Sequence, residues 1–409
     1  MNKASTAESV KHADFSPRTH ANGLRIVFFI LVLDVLGISL LWPVTAFIVQ
    51  RYSTDAVTLT ILTSLYSCAQ FFAAPLLGKV SDRHGRRPVL IISLLGSCIG
   101  YVMFGVGGAL WVLLLSRLID GVTAGNHAVA ASFLADVSTP ETRTKNFSLF
   151  GIAWGIGLIL GPALGAASGQ IDLSAPAWLA AALSLTAMVL GIFFLPESLP
   201  KEKRQKSALT AADFNPFISI WQIIRQPALG GLFLIIATYN FVYHGFASTE
   251  ALYLLQKFGA QPWQIGVMLA VGGFLMVASF KLLPVLTVRF GARKVMMGCL
   301  LGVAGTMLAF TLAPAFNWLY PVVGLRTIAG AFLFPTIGAL LAANVDPQEQ
   351  GAMMGVNTAL QSAMCVFGPL WAGMLYDHVT PDAAYWMGAL FLLFAALYGK
   401  SLRMNAQTR

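Results

Sequence analysis

The chain alternates between long apolar runs and short polar connections. Runs near or above the roughly 20 residues that span a bilayer occur twelve times, at 26–49, 58–78, 88–107, 109–135, 146–169, 175–195, 227–248, 263–287, 295–313, 316–343, 352–376 and 383–402. Several contain proline, as at Pro43, Pro75, Pro162, Pro284, Pro335 and Pro369. Kinked helices are tolerated in membranes when neighbours re-satisfy the freed carbonyls. The pattern predicts an all-α membrane protein with twelve transmembrane helices in two six-helix bundles.

The polar stretch GKVSDRHGRRP, Gly78 to Pro88, orients the rest. An Arg at the centre of a membrane helix costs about 2.5–3.5 kcal/mol on insertion scales, so Arg83, Arg86 and Arg87 hold this loop on one side, and basic loops stay in the cytoplasm. Of the 26 Lys and Arg, only Arg51 and Lys257 then fall in outside loops, and Arg117, Lys281 and Arg326 inside predicted helices. An even helix count places both termini in the cytoplasm. The longest connection, 196–226, is polar and basic. It divides a cytoplasmic tail (1–25) and a first bundle (26–195) from a second bundle (227–402) and a short tail (403–409).

The two halves repeat. RHGRRPV at 83–89 returns as RFGARKV at 289–295, and Pro140 with Pro162 returns as Pro347 with Pro369. Arg117 followed by Gly121 is echoed in Arg326 followed by Gly330. Like-facing halves relate by an axis along the membrane normal, with a substrate site expected near the midplane of the seam between them.

Composition agrees with the pattern. The 409 residues are 57% hydrophobic and 11% charged, against about 25% charged in soluble domains. The net charge of +9 sits in loops between apolar runs and forms no basic stripe with interleaved aromatics, so nucleic acid is set aside. Cys68, Cys98, Cys299 and Cys365 lie inside apolar runs without metal-ligand spacing and read as small apolar filler. The polar first twenty residues lack a signal peptide, which makes the first apolar run an uncleaved insertion signal.

Polar residues inside the runs are the candidates for chemistry. Asp34 lies in the first run, where a carboxylate can bind and release a proton as water access alternates, or serve as a hydrogen-bonded helix acid. Arg117 and Asp120, three apart, share a helix face; they pair structurally or couple to a proton. Asn126 and His127 follow on the same run. Tyr239, Asn240, Tyr243 and His244 form a polar, aromatic cluster in the seventh run, with Glu250 beyond as an outer cap. Asn357 and Gln361 stand one turn apart in the eleventh, with Trp371 beyond. These groups line a cavity or bond between helices. Lys281 either snorkels or holds an anion. Gly157, Gly161, Gly165 and Gly169 make a stripe for close helix approach, and Pro162 adds a kink; the stripe is a gate if it lies at the moving seam. No phosphate-binding loop, metal motif or nucleophile elbow is present, so no cofactor, metal or catalytic residue is expected.

These residues resemble those of the major facilitator superfamily. Gly78, Asp82, Arg83, Gly85, Arg86 and Arg87 match its loop signature, and the resemblance implies a charge relay with Asp136 at the inner end of helix 4. RLIDGVTAG resembles its helix 4 signature, with Arg117 as the basic residue linked to proton coupling. GIGLILGPALGA resembles its antiporter signature, with Gly157, Gly161, Pro162 and Gly165. LDVLGISLLWPV, GKVSDRHGRRPVL and AVAASFLAD are similar to the tetracycline-efflux branch of the drug:proton antiporters. The chain departs from that branch at Gly100, where it carries an acid in helix 3, at Met276, where it carries a His in helix 8, and in helix 9, where its acid has no counterpart.

The expectation is a monomeric secondary transporter of the inner membrane. Its partners are the bilayer, protons and a small amphipathic compound exported in exchange for them. Asp34 is the acid for the proton and for a substrate cation. Asp82, Arg83, Arg86 and Asp136 lock the outward-facing state. Uptake or exchange of an anionic metabolite at Arg117, Lys281 or Arg326 is the alternative; a transport-dead receptor or scaffold is a third.

Overall fold

The computed structural model describes residues 17–204, 227–343 and 350–402. Most of the central connection, residues 1–16 and 403–409 of the tails, and the repeat partner Pro347 therefore lie outside the described residues; the helix of the first run begins at Pro17, inside the stretch read as a tail. The first half contains α1 (Pro17–Leu40), α2 (Thr45–Val49), α3 (Ala56–His84), α4 (Arg86–Val106), α5 (Leu110–Thr123), α6 (Asn126–Asp136), α7 (Pro140–Gly169) and α8 (Ala175–Phe194). The second contains α9 (Pro227–Phe258), α10 (Pro262–Ser279), α11 (Leu282–Phe290), α12 (Ala292–Thr311), α13 (Leu319–Ala342), α14 (Gln350–His378) and α15 (Ala383–Ser401).

Among the described residues eleven helices are long and apolar enough to cross a membrane. The twelfth predicted crossing, 109–135, is two shorter helices, α5 and α6, broken at Ala124 and Gly125. A Cβ at Gly125 would strike the side chain of Leu77 on α3, so this site needs glycine for its close approach. Two other predicted runs are also interrupted. Pro43 has no N–H to continue α1; the chain turns, and Thr45 returns both its N–H and its hydroxyl to the Leu41 carbonyl. Pro284 likewise cannot donate to the carbonyl of Phe280, and the eighth run splits into α10 and α11 there. Pro75, Pro162, Pro335 and Pro369 stay inside continuous helices.

The halves repeat in packing. α1 lies against α7 and α8 as α9 lies against α14 and α15, and α4 against α5 and α8 as α12 against α13 and α15. The repeated loops share a device. Gly85 and Gly291 both take positive φ, +107° and +81°, a conformation glycine adopts without strain. Two residues on, the Arg87 guanidinium bonds the carbonyls of Gly191 and Ile192 at the end of α8, and Arg293 those of Gly399 and Lys400 at the end of α15. A cation on the last carbonyls of a helix complements its dipole.

Long apolar side chains cover the outward helix faces. Ile92, Leu95 and Ile99 of α4, and Leu390, Leu393, Phe394 and Leu397 of α15, are exposed. Such continuous apolar faces belong against lipid rather than water.

Between the halves, α3 packs on α14 and α7 on α10. The Ser64 hydroxyl donates to the Val366 carbonyl at 2.9 Å. Gly373 lies against Thr60, Gly266 against Pro162 and Ala166, and Gly273 against Leu158. These contacts lie at mid-helix and at the end remote from the basic loops. At the loop end, α11 buries no residue.

Candidate functional site

The break between α5 and α6 creates the site. It presents Asn126, the first residue of α6, to α1, where the Asn126 amide donates to Asp34 Oδ1 at 2.8 Å. His127 Nδ1 stands 3.6 Å from Asp34 Oδ2. Asp34 is only 4% exposed, and its Oδ2 has no hydrogen-bond partner. The acid therefore faces an amide and an imidazole, with no permanent cation in contact.

Asp34, Asp120, Asn126 and His127 line one polar cavity with Tyr66 and Gln70 of α3 and Ser97 of α4. The space open to a water molecule there is about 10 Å³, the size of a single water site. It is a niche within the first half with room for about one water, not for a drug-sized compound. Arg117 Nη1 stands 3.3 Å from Asp120 Oδ2. Its guanidinium lies over the rings of Phe104 and Tyr101, at 4.7 and 5.7 Å, and its Nε and Nη2 have no hydrogen-bond partner. Gly100, where the resemblance placed an acid on helix 3, lies against the Cβ of Asp120, 2.9 Å from where its own would be. The Asp120 carboxylate of α5 thus lies beside that position. Tyr66, Gln70 and Ser97 were missed by sequence reading; the i, i+4 spacing of Tyr66 and Gln70 was the available signal.

The candidates of the second half divide. Tyr239 and Tyr243 stand ring to ring at 5.9 Å, with His244 edge-on to Tyr243. Tyr243 is exposed, and His244, Asn357 and Gln361 are partly so. Asn240 does not join them, because it is buried and its amide donates to Ile236 O of its own helix. Trp371 packs against Phe241 and Phe391. Lys281 is exposed at the break between α10 and α11. Glu250 is no cap: α9 runs two turns further, and Glu250 is buried against Arg326 at 2.5 Å.

The glycine stripe also lies elsewhere than expected. A Cβ at Gly157, Gly161 or Gly165 would strike Val35, Ser39 or Leu40 of α1, so the stripe packs inside the first half. The seam lies on the opposite face of α7, and of the four residues read as a gate only Pro162 reaches it, at Gly266.

At the basic loop, Arg86 is buried. Its guanidinium contacts Asp82 at 2.5 Å and Asp136 at 3.0 Å, and donates to Ser81 Oγ at 2.7 Å. Arg83 is exposed, and a Cβ at Gly78 would meet nothing. Unforeseen is Glu197, whose carboxylate accepts from the N–H groups of Arg86 and Arg87 at the start of α4. Ser198 donates to Asp136 at 3.0 Å. The segment after α8 thus straps the loop, and a Cβ on Gly85 would collide with Glu197.

The sequence model of the Major Facilitator Superfamily matches residues 27–287 and 251–406. The class C tetracycline resistance protein of Escherichia coli is 31% identical over 385 residues, 92% of this chain and 94% of that protein. The human major facilitator superfamily domain-containing protein 10 is 29% identical over 376 residues, 85% of this chain and 79% of that one. The solved structure of that human protein, described as the organic anion transporter MFSD10, superposes with a TM-score of 0.69 at 24% identity, covering 94% of this chain and all (100%) of that one.

Proposed function

The chain belongs to the major facilitator superfamily, and on that premise we propose that it exports a small amphipathic compound in exchange for protons. It is a membrane transporter, not an enzyme. The observation that supports proton exchange is the environment of Asp34: buried, held by the Asn126 amide at 2.8 Å, and with one carboxylate oxygen unbonded. An acid with no fixed counter-cation exchanges its proton, or a substrate cation, as each side of the seam opens. Arg117, tethered to Asp120, sets the field in which Asp34 works. The compound itself is larger than the Asp34 niche and lies in the seam, against Tyr239, Tyr243, His244, Asn357 and Gln361.

The direction of export rests on the likeness to tetracycline resistance proteins. With the basic loops in the cytoplasm, both termini are cytoplasmic and the protein works as a monomer in the inner membrane. The contacts at the remote end then close the outside, so the conformation described is the inward-open one. The lock at Arg86 engages the second half when the protein turns outward.

A second reading is transport of an organic anion, the class printed for the human relative. The unpartnered Nε and Nη2 of Arg117 favour it. The test is collapse of a pH gradient in inverted membrane vesicles, with amphipathic cationic drugs, organic anions and sugars added singly. Collapse by amphipathic compounds supports export by proton exchange. A silent panel, with uptake of an organic anion into right-side-out vesicles, supports the second reading.

A further inference from the structure

A second buried charge pair lies in the other half, away from the Asp34 niche. Glu250 of α9 and Arg326 of α13 meet at 2.5 Å, each with only 8% of its side chain accessible. The Arg326 guanidinium lies over Phe246 and Phe310, at 4.4 and 5.3 Å. Phe310 repeats Phe104, which supports Arg117 in the first half, at the same spacing that relates Arg83 to Arg289. The aromatic seat for an intramembrane arginine is therefore duplicated, while its acid has moved from the arginine's own helix to α9.

Stability does not explain this pair. Desolvating two charges cancels most of their attraction, and apolar replacements of similar volume do as well or better. Nor is the network closed: Arg326 Nη1 and the Tyr385 hydroxyl are buried without partners. Tyr239, Tyr243, Phe246 and Glu250 follow at helical spacing on one stripe of α9, and Tyr243 is 40% exposed.

We propose that Glu250 is a second proton-carrying acid, taking up and releasing a proton as its bond to Arg326 breaks and re-forms. The titratable groups around it are Arg326 from α13, Tyr385 from α15, and Tyr243 and Tyr253 from its own helix. Further out are Cys365 and Tyr376 from α14, and Tyr66 of α3, which faces Cys365. The α2 segment TAFIV contributes no titratable group, and α12 contributes the ring of Phe310. The protonated Glu250 keeps a hydrogen bond to Arg326, while the unpartnered Nη1 and the Tyr385 hydroxyl are available to take up a new partner as the pair opens. This extends the proton-exchange reading above from one acid to two.

The test needs no substrate. Infrared difference spectra of the detergent-purified full chain, recorded across a pH titration, report each carboxyl group by its protonated C=O band. The expected wild-type spectrum contains a band lost in Asp34→Asn and another, independent band lost in Glu250→Gln. Arg326→Lys, which keeps the charge, shifts the Glu250 band without removing it. A Glu250→Gln spectrum that superimposes on wild type overturns the second acid and leaves Asp34 standing. Loss of the Asp34 band alone from expectation, with the Glu250 band present, overturns the first reading instead. If Glu250→Gln fails to fold, an Arg326→Lys spectrum identical to wild type overturns the proposal by itself.

Discussion

Asp377 caps a helix in the opposite half of the molecule, its carboxylate accepting from the N–H of Ala56 at 2.9 Å and of Val57 at 2.8 Å. The residue in the usual capping position, Asp55, makes no side-chain cap. In this conformation, closed across the seam at this end, the side chain that caps α3 comes from the other half. A capping side chain contributes about 1 kcal/mol, and exposure of this one keeps the figure near that value. Asp377→Ala is expected to shift the balance toward the conformation open at this end by roughly five-fold. Distances between spin labels placed across the seam would report the shift; an unchanged distribution would remove Asp377 from the closure.

Gly266 and Gly161 separate seam from scaffold. A Cβ at Gly266 meets Ala166 and the Pro162 carbonyl across the seam, whereas one at Gly161 meets Ser39 within the first half. Overpacking costs typically 1–3 kcal/mol. Gly266→Val is expected to leave folding intact and open the remote end, while Gly161→Val lowers the melting temperature in detergent. Equal melting-point losses for the two variants would contradict this division.

Arg86 joins three segments of the chain through Asp82, Asp136 and Ser81. Removing one partner from a buried charge cluster costs about 3–5 kcal/mol. Arg86→Ala is expected to reduce thermal stability by a few kcal/mol, with Arg86→Lys intermediate because one ammonium cannot serve both carboxylates in the same geometry. Arg83→Ala, at an exposed site, is expected to change stability little. Thermal unfolding of the three variants tests the ranking.

The bundle architecture was legible because the bilayer demands long apolar runs, and the two halves because Arg87 and Gly85 recur with their local geometry at Arg293 and Gly291. Asp34 and Arg117 stood out as charges inside apolar runs, and the structure places Asp34 and Asp120, the partner of Arg117, around one niche. What sequence could not place was direction. The glycines of α7 had the right spacing for a gate, but spacing does not say which neighbour a stripe faces, and it faces α1. Asn240 had the right company, yet its amide satisfies its own backbone. Glu250 looked terminal because the apolar run ends before the helix does. Glu197 and Asp377 act through backbone N–H groups distant in sequence, which no motif records.

The central claim is that Asp34 carries the exchanged proton, and the most direct measurement compares wild type with Asp34→Asn in proteoliposomes bearing an imposed pH gradient, using the compound that emerges from the vesicle panel. Asp34→Asn is expected still to move this compound down its own gradient but to lose uphill transport to the level of empty vesicles. Uphill transport at the wild-type rate in Asp34→Asn would contradict it.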